Sequence, residues 1–233
     1  MQTPAQLADR ARSAWMRKSS MTAFLVLLVL TIFVVPVIAP PYNEAGRAVL
    51  EAFFAVLLLS GVWAVADHRM VAGMVALLCA CMAAVAWLSA TESTLASPTT
   101  RAAVALVATV LLAAVVGKRV FAGGQITSDR IMGAVAFFLI IGLVWANAYE
   151  IVALHDPDAF SGGPDQKRGM ERWFYFSFVT LTTVGYGDVT PLARSARALA
   201  MLEALIGQLY PAIILARLVT LQTDESAPGP SSH

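Results

Sequence analysis

Between Thr180 and Asp188 the chain reads Thr180-Leu181-Thr182-Thr183-Val184-Gly185-Tyr186-Gly187-Asp188. The chemistry this run offers lies in its backbone. Gly185 and Gly187 stand two apart, and glycine adopts φ > 0 without steric cost. Alternating them with Val184 and Tyr186 turns successive carbonyls to one side and the side chains to the other, which neither a helix nor a strand permits. A row of carbonyl oxygens facing one axis can replace the hydration shell of a bare cation. One strand supplies too few oxygens to enclose an ion, so several copies of the chain must surround the axis.

The run matches the pattern T-x-T-T-V-G-Y-G-D and resembles the selectivity filter of tetrameric potassium channels. The resemblance implies ion sites built from the carbonyls of Thr183, Val184, Gly185 and Tyr186 with the Thr183 hydroxyl, and Gly187 completing the filter. It implies K⁺ as the permeant ion, no cofactor, and a homotetramer around a central pore, since each chain carries one motif. It extends well over residues 131–221. The earlier part of the chain resembles the six-helix layout of the family in helix number and length.

Trp173-Phe174-Tyr175-Phe176-Ser177-Phe178-Val179-Thr180-Leu181 is apolar but too short to span. It reads as a re-entrant helix, tolerated where protein or a water-filled cavity covers its end. Its C-terminal end, near Leu181 and Thr182, carries partial negative charge suited to a cation. Tyr175, Phe176 and Phe178 are expected to form a cuff around Tyr186.

Two positions depart from the family pattern. Many relatives have two tryptophans where Tyr175 and Phe176 stand, and the second often hydrogen-bonds the filter aspartate. Phe176 cannot, which leaves the bracing of Asp188 open. Some bacterial relatives have a glutamate at the position of Val179. Glu203, an ionisable residue inside the last span, is a functional candidate by its location. It is expected either to hydrogen-bond the back of the re-entrant helix at Thr180 or Tyr175, or to snorkel to outer water. Gly207 matches the family's hinge glycine. Gln208, Pro211, Leu215 and Val219 are then expected along the inner pore, with Leu215 and Val219 as a constriction.

The rest of the chain must hold this loop in a bilayer. Of 233 residues, 58% are hydrophobic and 13% charged, about half the charge of a soluble domain, and the mean hydropathy is +0.71. The chain is therefore an all-α membrane protein, with apolar runs at 21–39, 49–66, 71–90, 102–120, 131–154 and 195–221 long enough to span. Residues 1–20 suit a cytoplasmic segment or interfacial helix, 21–121 a four-helix sensor-like unit, 131–221 the pore unit, and 222–233 a short disordered tail. Ser97-Pro98 marks a turn, and Thr127 or Ser128 with Asp129 caps the fifth helix. Cys79 and Cys81, two apart on a helix, face opposite ways and read as packing residues more readily than as a redox pair.

With both termini cytoplasmic in a cell membrane, nine basic residues lie inside and seven outside, a weak bias. Residues 102–117 contain no Lys or Arg, unlike the charged helix of voltage-sensing relatives. The expected function is K⁺-selective conduction without steep voltage gating. A cation channel of relaxed selectivity and a non-conducting membrane sensor or accessory subunit are the alternatives. The net charge of +1 gives no footprint for nucleic acid. Membrane lipid, K⁺ and further copies of the chain are the expected partners. No nucleophile–base set suggests an enzyme, and no catalytic residue is assigned.

Overall fold

The computed structural model describes residues 21–38, 56, 73, 97–121, 127–162 and 169–226. Five helices carry the architecture: α1 (Met21–Ile38), α2 (Pro98–Phe121), α3 (Ser128–His155), α4 (Gly169–Leu181) and α5 (Arg194–Ser226). Four of them, α1, α2, α3 and α5 over Arg194–Arg217, are long and apolar enough to cross a membrane. The expected spans 49–66 and 71–90, apart from positions 56 and 73, lie outside the described residues, as do Cys79, Cys81 and the segment 1–20. One small departure from an all-helical chain is a two-residue antiparallel pair. In it β1 (Phe160–Ser161) meets β2 (Thr190–Pro191), with Phe160 opposite Pro191.

Helix α2 begins four residues before the expected span. Ser97-Pro98 does not form a free turn; it starts the helix. Ser97 Oγ accepts the Thr100 N–H at 3.1 Å, and Pro98 takes the first position, where a missing N–H costs nothing. The cap expected on α3 is absent: Thr127 precedes the helix without a side-chain cap bond. Asp129 instead pairs with Arg119 at 3.2 Å across the α2–α3 corner. The free carbonyls at the end of α2 find a partner in α5. Arg217 donates to Phe121 O at 3.2 Å, and its guanidinium sits 5.7 Å from the Phe121 ring centre.

Helices α2 and α3 run as a hairpin, and small residues allow the close packing of α3 on both its neighbours. A Cβ at Gly117 of α2 would lie 2.8 Å from the Phe137 ring of α3, and one at Gly142 of α3 would lie 2.9 Å from the Phe178 ring of α4. Helix α1 buries Met21, Phe24, Leu28 and Ile32 in the core shared with Ala108, Leu112, Val116 and Val120. Its stretch Leu30–Val34 is π-helical, and Phe33 there reaches Phe178 of α4 with ring centres 5.6 Å apart. Thr31 and Thr109 meet this apolar setting by bonding carbonyls of their own helices at 2.7 and 2.9 Å. Helix α5 continues unbroken through Gly207 and Pro211. It ends at Ser226, five residues into the stretch expected to be a disordered tail.

Candidate functional site

Helix α4 ends by bending its own backbone into the glycine-containing loop. Thr182 N–H still bonds Phe178 O at 3.0 Å, and Thr183 N–H bonds Thr180 O at 2.9 Å. The N–H groups of Val184 and Gly185 then both turn back to Val179 O, at 3.0 and 3.3 Å. In a trans peptide the carbonyl points opposite to the N–H. The carbonyls of Thr183 and Val184 therefore leave on the side away from α4.

The backbone angles continue this alternation. Thr183, Gly185 and Gly187 have φ of 60°, 57° and 78°, and Thr183 is the one non-glycine with positive φ among the described residues. For a β-branched residue such a conformation stores on the order of 1–3 kcal/mol. A Cβ added at Gly185 or Gly187 would meet nothing within 4 Å. Glycine is needed at these two places for its dihedral freedom, not for space. Residues 182–188 are all exposed in the single chain, with Val184 at 52% and Tyr186 at 70%.

The supports of this loop differ from those expected. Asp188 is braced, but from Tyr175: the phenol donates to Asp188 Oδ2 at 2.7 Å, and Val189 N–H donates to Oδ1 at 3.0 Å. The bond to Asp188 pushes the Tyr175 phenol up to about 12, so the donor keeps its proton at neutral pH. Tyr175 also lies parallel to Tyr186, with ring centres 6.4 Å apart and planes at 6°. Within the single chain, Phe176 and Phe178 do not join Tyr175 at Tyr186. Phe176 faces the opposite way, 4.8 Å from the Tyr149 ring and 5.5 Å from Phe160, while Phe178 packs on Gly142 and Phe33.

Glu203 is fully buried, at 0% exposure, so it does not snorkel. Its partners are neither Thr180 nor the Tyr175 hydroxyl. Tyr149 of α3 donates to Oε2 at 2.5 Å, and Oε1 lies 2.5 Å from Ser177 Oγ on α4. The carboxyl thus ties three helices together behind the loop.

Two glycines act by allowing close approach. A Cβ at Gly207 would lie 1.9 Å from Leu181 O, so α5 crosses the end of α4 in direct backbone contact. That contact gives Gly207 a role beyond any hinge. One residue on, Gln208 Nε2 donates to Thr183 Oγ1 at 3.3 Å, where the loop leaves α4. At the far end of the loop a Cβ at Gly162, where φ is 114°, would lie 2.1 Å from Asp188 O. Arg172 holds this crossing by donating to the carbonyls of Ser161 at 3.2 Å and Gly162 at 2.9 Å. The Ser161 and Thr190 hydroxyls bond across the β1–β2 pair.

Pro211 and Leu215, expected along the inner pore, border a cleft of about 370 Å³ between α3 and α5, together with Ile131, Phe138 and Tyr210. The side chain of Val219 lies outside the description. Sequence reasoning missed Tyr149, Ser177, Gly162 and Arg172. The first two were visible as polar residues within apolar segments, as Glu203 was.

Helices long and apolar enough to cross a membrane, on either side of a short helix and a glycine-containing loop, are consistent with an ion-channel domain. The profile of the family described as "Ion channel" matches residues 130–223. Over 122 residues the chain is 35% identical to Protein LctB of Bacillus caldotenax, covering 49% of this chain and 90% of that protein. With Protein LctB of Geobacillus stearothermophilus it shares 33% over 100 residues, covering 41% and 74%. It is also 34% identical over 88 residues to potassium voltage-gated channel subfamily A member 10 of Mus musculus, covering 37% of this chain and 16% of that protein. No solved structure matches. The chain belongs to the potassium-channel family and is a membrane protein.

Proposed function

We propose that this chain assembles as a homotetramer and conducts K⁺ selectively through four copies of the stretch Thr183–Gly187. The observation that carries this reading is the alternation of φ at Thr183, Gly185 and Gly187. Together with the N–H groups turned back on Val179, it supports a row of carbonyls facing one axis. Ions would move down their gradient by displacing one another along that row. Assembly is supported by the exposed side chains of Val184 and Tyr186 in the loop, and by Met201, Leu205, Leu209 and Ile213 exposed along α5. The Gln208 bond to Thr183 favours Gln208 as a residue facing the inner end of the path.

Selective conduction is favoured over a relaxed cation pathway by the rigid frame around the loop, above all the Tyr175–Asp188 bond and the Gly162 crossing. The absence of Lys and Arg between Ala102 and Gly117 supports gating that is not steeply voltage-dependent. A cell-membrane location with both termini cytoplasmic is the orientation that the basic residues before α1 favour.

Uptake of Rb⁺ into proteoliposomes tests the reading. The wild type takes up Rb⁺, an excess of external Na⁺ competes poorly, and Gly185→Ala reduces uptake to the level of empty vesicles. Flux that Na⁺ abolishes equally well would favour relaxed selectivity. A folded tetramer with no flux would favour an accessory subunit.

A further inference from the structure

Glu203 is a fully buried ionisable group behind the loop, and its hydrogen bonds fix where its proton must be. Three oxygen–oxygen contacts run in series. Tyr149 Oη is 2.5 Å from Glu203 Oε2, Glu203 Oε1 is 2.5 Å from Ser177 Oγ, and Ser177 Oγ is 2.8 Å from Gly142 O. Each contact at these lengths needs one proton between its oxygens. Gly142 O is a carbonyl and only accepts. The two hydroxyls bring one proton each. Two protons cannot serve three bonds, so the third belongs to the carboxyl.

We propose that Glu203 is a neutral carboxylic acid that donates to Ser177, and that this makes it the positioning residue linking α4 to α3 and α5. Tyr149 then donates to Glu203, Glu203 to Ser177, and Ser177 to Gly142 O. Every polar atom in the chain of contacts is satisfied, and no charge is buried. As a carboxylate, Glu203 would compete with Gly142 O for the single Ser177 proton, and one short contact would become a repulsion between acceptors. The charge would also lie at 0% exposure, where an unpaired ion is costly.

Among the described residues, no cation is hydrogen-bonded to or ion-paired with Glu203. From α3 the titratable group that reaches the carboxyl is Tyr149, and from α4 the polar group is Ser177. Arg194 and Arg217 on α5 stand nine and fourteen residues from Glu203 along the helix, and Arg217 donates to Phe121 O. Arg172 serves the carbonyls of Ser161 and Gly162, Arg197 serves Pro191 O, and Asp188 is held by Tyr175. Glu150 on α3 and Glu171 in the first turn of α4 are acidic. The bearing of a neutral Glu203 on conduction rests on the ion path proposed through Thr183–Gly187, the loop that α4 leads into. Ionising Glu203 then frees one link of α4 and places a negative charge behind the loop.

The test compares wild type with Glu203→Gln and Glu203→Ala as purified full-length protein. The glutamine amide can donate to Ser177 and accept from Tyr149, so it copies the neutral acid and not the carboxylate. Infrared difference spectra at neutral pH should show that Glu203→Gln removes one protonated-carboxyl C=O band present in the wild type. Thermal unfolding should leave the Gln midpoint at the wild-type value and lower the Ala midpoint. In proteoliposomes, wild-type Rb⁺ flux should fall on the alkaline side, and Glu203→Gln should lack that fall. A spectrum in which no such band disappears overturns the proposal, and so does a Gln variant as unstable as the Ala variant. The infrared and melting measurements need no conduction. A protein that shows the band but passes no Rb⁺ refutes the conduction reading alone.

Discussion

Tyr175 shows how a single side chain can take over a task its neighbour has lost. Its ring lies along Tyr186 while its hydroxyl holds Asp188 at 2.7 Å. The sequence left the bracing of Asp188 open because Phe176 was compared with a donor at the equivalent place in the family, whereas here the donor stands one residue back. On a helix that shift changes the direction of the side chain by about 100°, enough to exchange the two faces. Tyr175→Phe removes the bond and keeps the stacked ring. Sustained Rb⁺ flux should then fall several-fold, or Na⁺ should compete more strongly. A variant equal to wild type in both measurements would remove Tyr175 from the set of supports. The backbone of the loop was far more legible than its supports, because the glycines at Gly185 and Gly187 report a dihedral requirement that sequence states directly.

At the scale of elements, the glycines divide by what they permit. Gly185 and Gly187 have room for a side chain, whereas Gly207 has Leu181 O at 1.9 Å from where its Cβ would be. Gly207→Ala must push α5 off the end of α4. Overpacking of this kind costs about 1–3 kcal/mol, and the contact with rigid backbone places it toward the upper end. A lower thermal midpoint of the assembled protein checks this, and an unchanged midpoint would leave Gly207 as a hinge alone. Gly185→Ala should behave in the opposite way, losing flux while its fold persists. Helix existence was legible for α1, α2, α3 and α5, since runs of apolar residues long enough to span have few alternatives. Helix starts were less so. Ser97-Pro98 is equally at home in a turn, and which structure forms depends on the helix that follows.

For the whole molecule, charge placement governs the response to voltage. Steep opening requires several charges that cross the membrane field, each worth about 2.3 kcal/mol per 100 mV. Helix α2 places Lys118 and Arg119 in its last turn and leaves Ala102–Gly117 uncharged. Arg119 is moreover paired with Asp129 at the corner. Conductance scanned over about ±100 mV should follow the driving force without sigmoid activation. A curve requiring several gating charges would contradict this and direct attention to residues 39–96. The proposed assembly has one support in the sequence, a loop whose carbonyls are too few in one chain to enclose an ion. What the sequence alone could not order were the long-range pairings, such as Arg217 with Phe121 and Tyr149 with Glu203, which depend on how the helices are set side by side.

The burial of α1 also bears on how the protein is made. The face carrying Met21, Phe24, Leu28 and Ile32 finds its described partners in α2 and α3, whose first residues follow some way along the chain. With ~100 residues to synthesise at about 5–20 residues per second, the wait lasts on the order of ten seconds. During that interval the newly inserted first helix has only lipid, insertion machinery or the intervening residues to cover it. Site-specific crosslinking from Phe24 in ribosome-bound chains of increasing length should therefore switch partner once α3 has emerged, and a constant pattern at every length would contradict this order of assembly.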